Sequence, residues 1–209
     1  MTRIQTFAGI LCIALLCIAP AMGAGEPVSA IDNYNNAVDL ASAGEYEEAL
    51  VAVDAALSSN ANFTLALATK SGILSAMERY DEALAAADAA IISNPDMVYG
   101  YVTRANALVG LGRNEEAVAA AESALERDPE NLDARIILGT AFGNLGMYER
   151  ELEFSEEALA LSPGDSRALS NKAYAEFMLS GKTPEPTPAP LSLLPLFGGI
   201  ALLCLLRQR

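Results

Sequence analysis

Three adjacent acidic pairs, Glu47-Glu48, Asp81-Glu82 and Glu115-Glu116, are the first side chains in this 209-residue chain to test for acid–base chemistry. Neighbours on a helix point about 100° apart, so the two carboxylates of a pair cannot converge on one substrate. At the start of a helix the same charges complement the helix dipole, by roughly 0.3 kcal/mol or somewhat more each. Asp128, Glu130 and Asp133 could offer clustered oxygens to calcium, but the calcium-loop spacing with its central glycine is absent, so no metal is expected. Histidine is missing altogether, and Cys12, Cys17 and Cys204 lie outside residues 26–185. With them go the commonest general base, a thiol nucleophile, a cysteine metal site and a disulfide framework. There is no phosphate-cradling loop either. No catalytic, metal or cofactor-binding residue is therefore assigned, and the chain is not expected to be an enzyme.

Charge narrows the partners. All 27 acidic residues fall between Glu26 and Glu185 against 10 of the 13 basic ones, a net −17 for that stretch. Such a surface repels phosphate backbones, so nucleic acid is not an expected partner; a cationic partner, solubility or a salty milieu are the readings that remain. Lys70, Arg104 and Lys172 recur in phase, with Leu138 in the vacant slot. A cation ladder of this kind could read an acidic peptide. The competing expectation is that the stems pack on a neighbouring helix while the charged heads answer acidic second helices.

What must position all of these is a repeat. GEYEEAL (44–50), ERYDEAL (78–84), GRNEEAV (112–118) and GMYEREL (146–152) stand 34 residues apart, as do Asn94-Pro95, Asp128-Pro129 and Ser162-Pro163. A fixed period of that length predicts stacked helical hairpins, each burying its apolar face only against its neighbours. Gly44, Gly112 and Gly146 suit the left-handed residue that ends a first helix, so Glu78 in the same slot should cost roughly 1 kcal/mol. Ser29 with Asp32 caps the opening helix. Asn60-Ala61 fills the break without proline, which predicts the loosest of the turns between hairpins. Ala37, Ser71, Ala105, Gly139 and Ala173, and Ala56, Ala90, Ala124 and Ala158, are small residues in phase that let helix axes approach closely. Tyr46, Tyr80 and Tyr148 open the second helices. A fifth first-type helix, Ser166 to Ser180, is needed to close the stack.

The Gly-x-Tyr-x-x-Ala-Leu turn, the in-phase small residues and the Asp/Asn-Pro break together resemble the tetratricopeptide repeat family over residues 30–165. The resemblance implies an all-α, right-handed superhelical solenoid of helix-turn-helix hairpins, with repeats at 30–63, 64–97, 98–131 and 132–165 and a capping helix at 166–181. Glu151 departs from the pattern where the other repeats have Ala49, Ala83 and Ala117, and it puts the fit of the fourth hairpin in question. In the family, first helices line a concave groove that binds extended or helical peptides. Carried onto this chain, that phase gives Tyr34, Val38, Tyr99, Val102, Asn106, Ile136, Thr140, Ser170 and Tyr174, a mainly neutral and partly apolar lining. Asn106 is present without the groove cations that read a peptide's C-terminal carboxylates, so that adaptor role is disfavoured.

The ends are of another kind. Phe7 to Ala19, after Arg3 and before Pro20 and small residues, reads as a cleavable secretory signal within 1–24, with an uncleaved anchor as its rival. Lys182 to Pro190 is a Pro/Thr-rich linker, expected to be extended and to reach roughly 25–30 Å. Leu191 to Leu206 carries no charge and is followed by Arg207-Gln-Arg209. It reads as a transmembrane helix with a basic cytoplasmic tail, as a sorting signal removed by a transpeptidase, or as a helix buried in the protein. Asn62-Phe63-Thr64 is a glycosylation sequon. The expectation is an exported, membrane-anchored, cell-surface scaffold that binds a protein or peptide. Self-association as an assembly subunit is the alternative.

Overall fold

The 34-residue period is a helix register. The computed structural model describes residues 29–181. Among these residues the backbone is all-helical, without strands: α1 (Ala30–Ala43), α2 (Tyr46–Ser59), α3 (Thr64–Ala76), α4 (Tyr80–Ser93), α5 (Val98–Gly110), α6 (Asn114–Arg127), α7 (Leu132–Asn144), α8 (Tyr148–Leu161) and α9 (Ser166–Leu179). Odd-numbered helices begin 34 residues apart, and so do even-numbered ones. The terminal signal, linker and apolar segments expected from the sequence lie outside the described residues. Among the described residues no helix is long and apolar enough to cross a membrane.

Local chemistry sets the boundaries. The Ser29 hydroxyl accepts from the Asp32 amide at 3.1 Å while the Ser29 amide donates to Asp32 Oδ2 at 3.4 Å, a reciprocal cap that opens α1. First helices end on residues with φ of 82° at Gly44, 71° at Gly112 and 75° at Gly146, and Glu78 adopts the same left-handed backbone at 59°. At each of these turns the next amide reaches back to the preceding helix, as Glu45 does to the Leu40 carbonyl and Arg79 to that of Leu74, both at 2.9 Å.

The turn between α2 and α3 takes the same shape as its proline-bearing counterparts. Asn60 holds φ −147° and ψ 94° without a following proline, matching Asn94 at −147° and 98°. Its side-chain oxygen accepts from the Asn62 amide at 3.2 Å, as Asn94 accepts from Asp96 at 3.1 Å and Asp128 from Glu130 at 3.2 Å. The Asx turn sets this geometry, and proline is dispensable to it.

The chain divides into two compact units at Ala107 and Leu108, within α5. In the first, Ala37, Ala49, Ala52, Val53, Ala56, Ala66 and Ile73 form a buried cluster edged by Tyr34, Tyr46, Leu50 and Phe63, while Leu74 packs with Ala83, Ala86 and Ala107. In the second, Ile136, Ala158 and Ala168 pack with Leu132 and Leu159. Among the described residues alanine fills most of the interior, so the large side chains that are fully buried, Leu74, Leu108, Leu138 and Val53, each carry an outsized share, about 1.5–3 kcal/mol. Ala173, in the small-residue phase, is exposed: among the described residues no second-type helix follows α9.

Candidate functional site

In the first unit, α1, α3 and the start of α5 enclose a concavity of about 470 Å³ lined by Tyr34, Val38, Ala41, Ser42, Leu65, Thr69 and Tyr99. Helical spacing brings them together: Val38 and Ser42 are one turn apart on α1, Leu65 and Thr69 one turn apart on α3. Tyr34 is half-buried and set against Phe63, ring centroids 5.0 Å apart, so one wall is fixed by the core. Tyr99 is 42% exposed and crosses α3 above Gly72, where an added Cβ would meet its hydroxyl at 3.3 Å. Tyr34, Val38 and Tyr99 thus converge on one hollow. Leu65, Thr69 and Ser42 complete it, and the sequence reading missed them although their spacing repeats that of the α1 residues. Further along α5, Asn106 is exposed while Val102 is 7% exposed and offers packing rather than surface.

In the second unit, Ile136 is 4% exposed, Thr140 half-buried, and Ser170 and Tyr174 exposed. Asn171 joins them in a way the sequence did not announce: its Nδ2 donates to the Ile136 carbonyl at 3.2 Å and to Thr140 Oγ1 at 2.9 Å, tying α9 to α7. Tyr174 meets Tyr148 edge to face at 6.0 Å. Burial first, then the Tyr174 phenol group, raises the proton affinity of the Tyr148 phenol.

The recurring cations are answered by acids. Lys70 donates to Asp54 at 2.7 Å, Arg104 to Asp88 at 2.8 Å and Lys172 to Glu156 at 2.7 Å. The charged heads therefore face acidic second helices, the expectation that competed with an exposed cation ladder.

The fourth hairpin is packed differently from its fellows. Glu151 is 3% exposed and its Oε2 has no hydrogen-bond partner in the protein. Burial raises its pKa to about 7. It is accommodated because α7 presents Gly139 and Gly143: a Cβ at 143 would lie 2.5 Å from the Glu151 carboxyl carbon, and one at 139 would lie 3.4 Å from Ser155 Oγ. Volume lost from α7 is regained on α8, which answers the doubt raised over Glu151. Beside it the Phe142 and Phe154 rings stack at 5.5 Å, and the Arg150 guanidinium lies 5.2 Å and 5.1 Å from their centroids.

The acidic pairs 47–48, 81–82 and 115–116 occupy the first turns of α2, α4 and α6, all exposed. Asp128 accepts from the Glu130 amide and from Asn131 Nδ2, and Asp133 pairs with Arg167 at 2.8 Å. Among the described residues no group of three or more His, Cys, Asp or Glu is placed to hold a metal. Asn62 is exposed in the α2–α3 turn, and the sequon's Thr64 hydroxyl lies 2.8 Å from that of Ser93. A larger hollow of about 700 Å³ beside it, lined by Asn62, Thr64, Ile92 and Asn94, opens on turn atoms and lacks the ring walls of the α1–α3–α5 concavity.

Residues 102–166 match a family model described as tetratricopeptide repeat. No curated protein matches the sequence. Among solved structures, the chain is similar to TTC0263, a thermophilic tetratricopeptide repeat protein of Thermus thermophilus, with a TM-score of 0.67 and 21% identity over 73% of this chain and 83% of that one. It is similar to YrrB, described as having an unusual peptide-binding site, with a TM-score of 0.55 and 24% identity over 73% of this chain and 79% of the other. The first such domain of human RPAP3 gives 0.54 and 21% identity over 56% of this chain and 92% of that one. The described helices have the tetratricopeptide-repeat fold, and residues 102–166 carry that family's sequence pattern.

Proposed function

We propose that this chain is a protein-interaction module whose first-type helices receive a peptide segment of a partner. The observation that carries the reading is the concavity between α1, α3 and α5, which pairs two tyrosine rings and aliphatic surface with the hydroxyls of Ser42 and Thr69. Rings of this kind supply broad contact area at small entropic cost, and neutral hydroxyls orient a backbone without demanding a charge. Affinity comes from burying an apolar anchor in a preformed hollow, while the net −17 of residues 26–185 favours partners with basic flanks and makes capture salt-dependent. The solved structure of YrrB, described as having a peptide-binding site, supports the same use of the fold. Four repeats at 30–63, 64–97, 98–131 and 132–165 closed by 166–181 are the proposed organisation. Export and tethering at the cell surface rest on the apolar stretches Phe7 to Ala19 and Leu191 to Leu206.

Affinity capture with the full chain from membrane and surface fractions tests this, with a Val38→Lys, Tyr99→Ala double variant of matching helicity as control. Both residues are exposed, so the variant spares the core. One protein recovered by the parent and lost with the variant supports the reading; equal recovery by both removes it. A second reading, assembly through self-association, draws on α9, where Leu169 is 47%, Phe177 37% and Leu179 41% exposed. It predicts a mass that rises with concentration in light scattering and falls on Phe177→Glu.

A further inference from the structure

We propose that the contact between Gly143 and Glu151 is a proton-operated latch: α7 and α8 close fully on a neutral carboxyl, and their packing loosens when that carboxyl ionises. Three observations carry it. Glu151 is 3% exposed in a hairpin interior, at the position where three other hairpins bury an alanine, and its Oε2 has no partner. Its carboxyl lies over Gly143 so closely that a Cβ there would come within 2.5 Å of it, and no donor reaches Oε2 to compensate a charge. The helix it lies against carries both Gly139 and Gly143, each costing about 1 kcal/mol of helix propensity relative to alanine, so the element that must yield is already the softer one.

The surroundings do not rescue the ionised form. On α7 the ionisable groups are Asp133, paired with Arg167, and Arg135, paired with Glu157. On α9 they are Arg167, Lys172, Tyr174 and Glu176, with Lys172 bound to Glu156 and near Glu176. On α8 itself Arg150 is turned to Glu153 and the two phenylalanine rings, Glu149, Glu153, Glu156 and Glu157 are exposed, and Tyr148 is a phenol made a weaker acid partly by Glu151. Burial is what raises the carboxyl's proton affinity. Because the folded-state pKa of about 7 lies above the ordinary carboxyl value, this contribution to stability is present in full at acidic pH and is lost as pH rises, the loss levelling off near neutrality. Thr140 and, through Asn171, the α9 face are tied to the same helix, so the latch bears on that surface.

Hydrogen-exchange protection factors of the α7 and α8 amides, measured on the full chain at a series of pH values, test the latch. Protection in the parent falls on the order of tenfold between pH 5.5 and 7, and the fall is absent in both Glu151→Gln and Glu151→Ala. Glu151→Ala restores the residue type of the other hairpins, so a misfolded Gln variant does not leave the question open. A parent whose protection tracks that of Glu151→Ala across the series overturns the proposal. Since no partner enters the measurement, its outcome is independent of peptide binding.

Discussion

Lys70 Nζ sits 2.7 Å from Asp54 Oδ1, sixteen residues back along the chain, and Arg104 with Asp88 and Lys172 with Glu156 repeat the offset. The repeat thus carries its own neutralisation: a first-type helix sends a cation to the second-type helix before it. Lys70 and Asp54 side chains are 29% and 49% exposed, so water competes with the pair. Lys70→Met, which keeps the stem, should lower stability by less than about 1 kcal/mol, and a double-mutant cycle with Asp54→Asn should give a coupling of the same size that shrinks at high salt. A coupling several times larger would mean the pair is functionally buried.

Glu78 is the one non-glycine residue with positive φ among those described, at 59°. Its side chain is exposed and gains nothing there that the turn requires. Glu78→Gly should raise stability by about 1 kcal/mol, seen as a higher urea midpoint at unchanged slope, and Gly112→Ala should lower it by a similar amount.

What the sequence made legible was local or periodic. Ser29 and Asp32 reveal their cap because both partners lie within one turn, and Glu78 betrays its backbone because three glycines fill the equivalent slot. Burial within the candidate lining was not legible. Val102 and Asn106 share a helix face by spacing, yet one is 7% exposed and the other exposed, since a single turn of axial position decides what covers a side chain. Tyr99 over Gly72 and Asn171 on Ile136 pair residues whose types alone announce no partner. Glu151 stood out as a departure, but only the fold shows that Gly143 makes room for it.

Gly72 separates the wall of the concavity from the stability of the fold. An alanine there meets only the far end of Tyr99, a ring that is 42% exposed, at 3.3 Å, which a shift of a few tenths of an ångström relieves. Gly72→Ala should therefore raise stability by about 0.5–1 kcal/mol through helix propensity while weakening nuclear Overhauser contacts between the Tyr99 ring and α3. A loss of stability would show that the hydroxyl is held in place by more than packing.

Gly143 and Glu151 are predicted to be strongly coupled. In the parent, Gly143→Ala sets a methyl carbon 2.5 Å from the Glu151 carboxyl carbon, inside a packed interface that can yield only by moving α7 or turning out the buried side chain. Overpacking of this kind costs about 1–3 kcal/mol. Once Glu151→Ala has removed the obstruction, the same substitution should turn favourable by about 1 kcal/mol, because alanine suits the interior of α7 better than glycine. Urea unfolding of the four proteins in the cycle measures the coupling, and the reversal of sign is its diagnostic feature. If Gly143→Ala is equally unfavourable in both backgrounds, the close approach at this position is made by α8 backbone, and the compensation between the two helices fails as an account of the fourth hairpin.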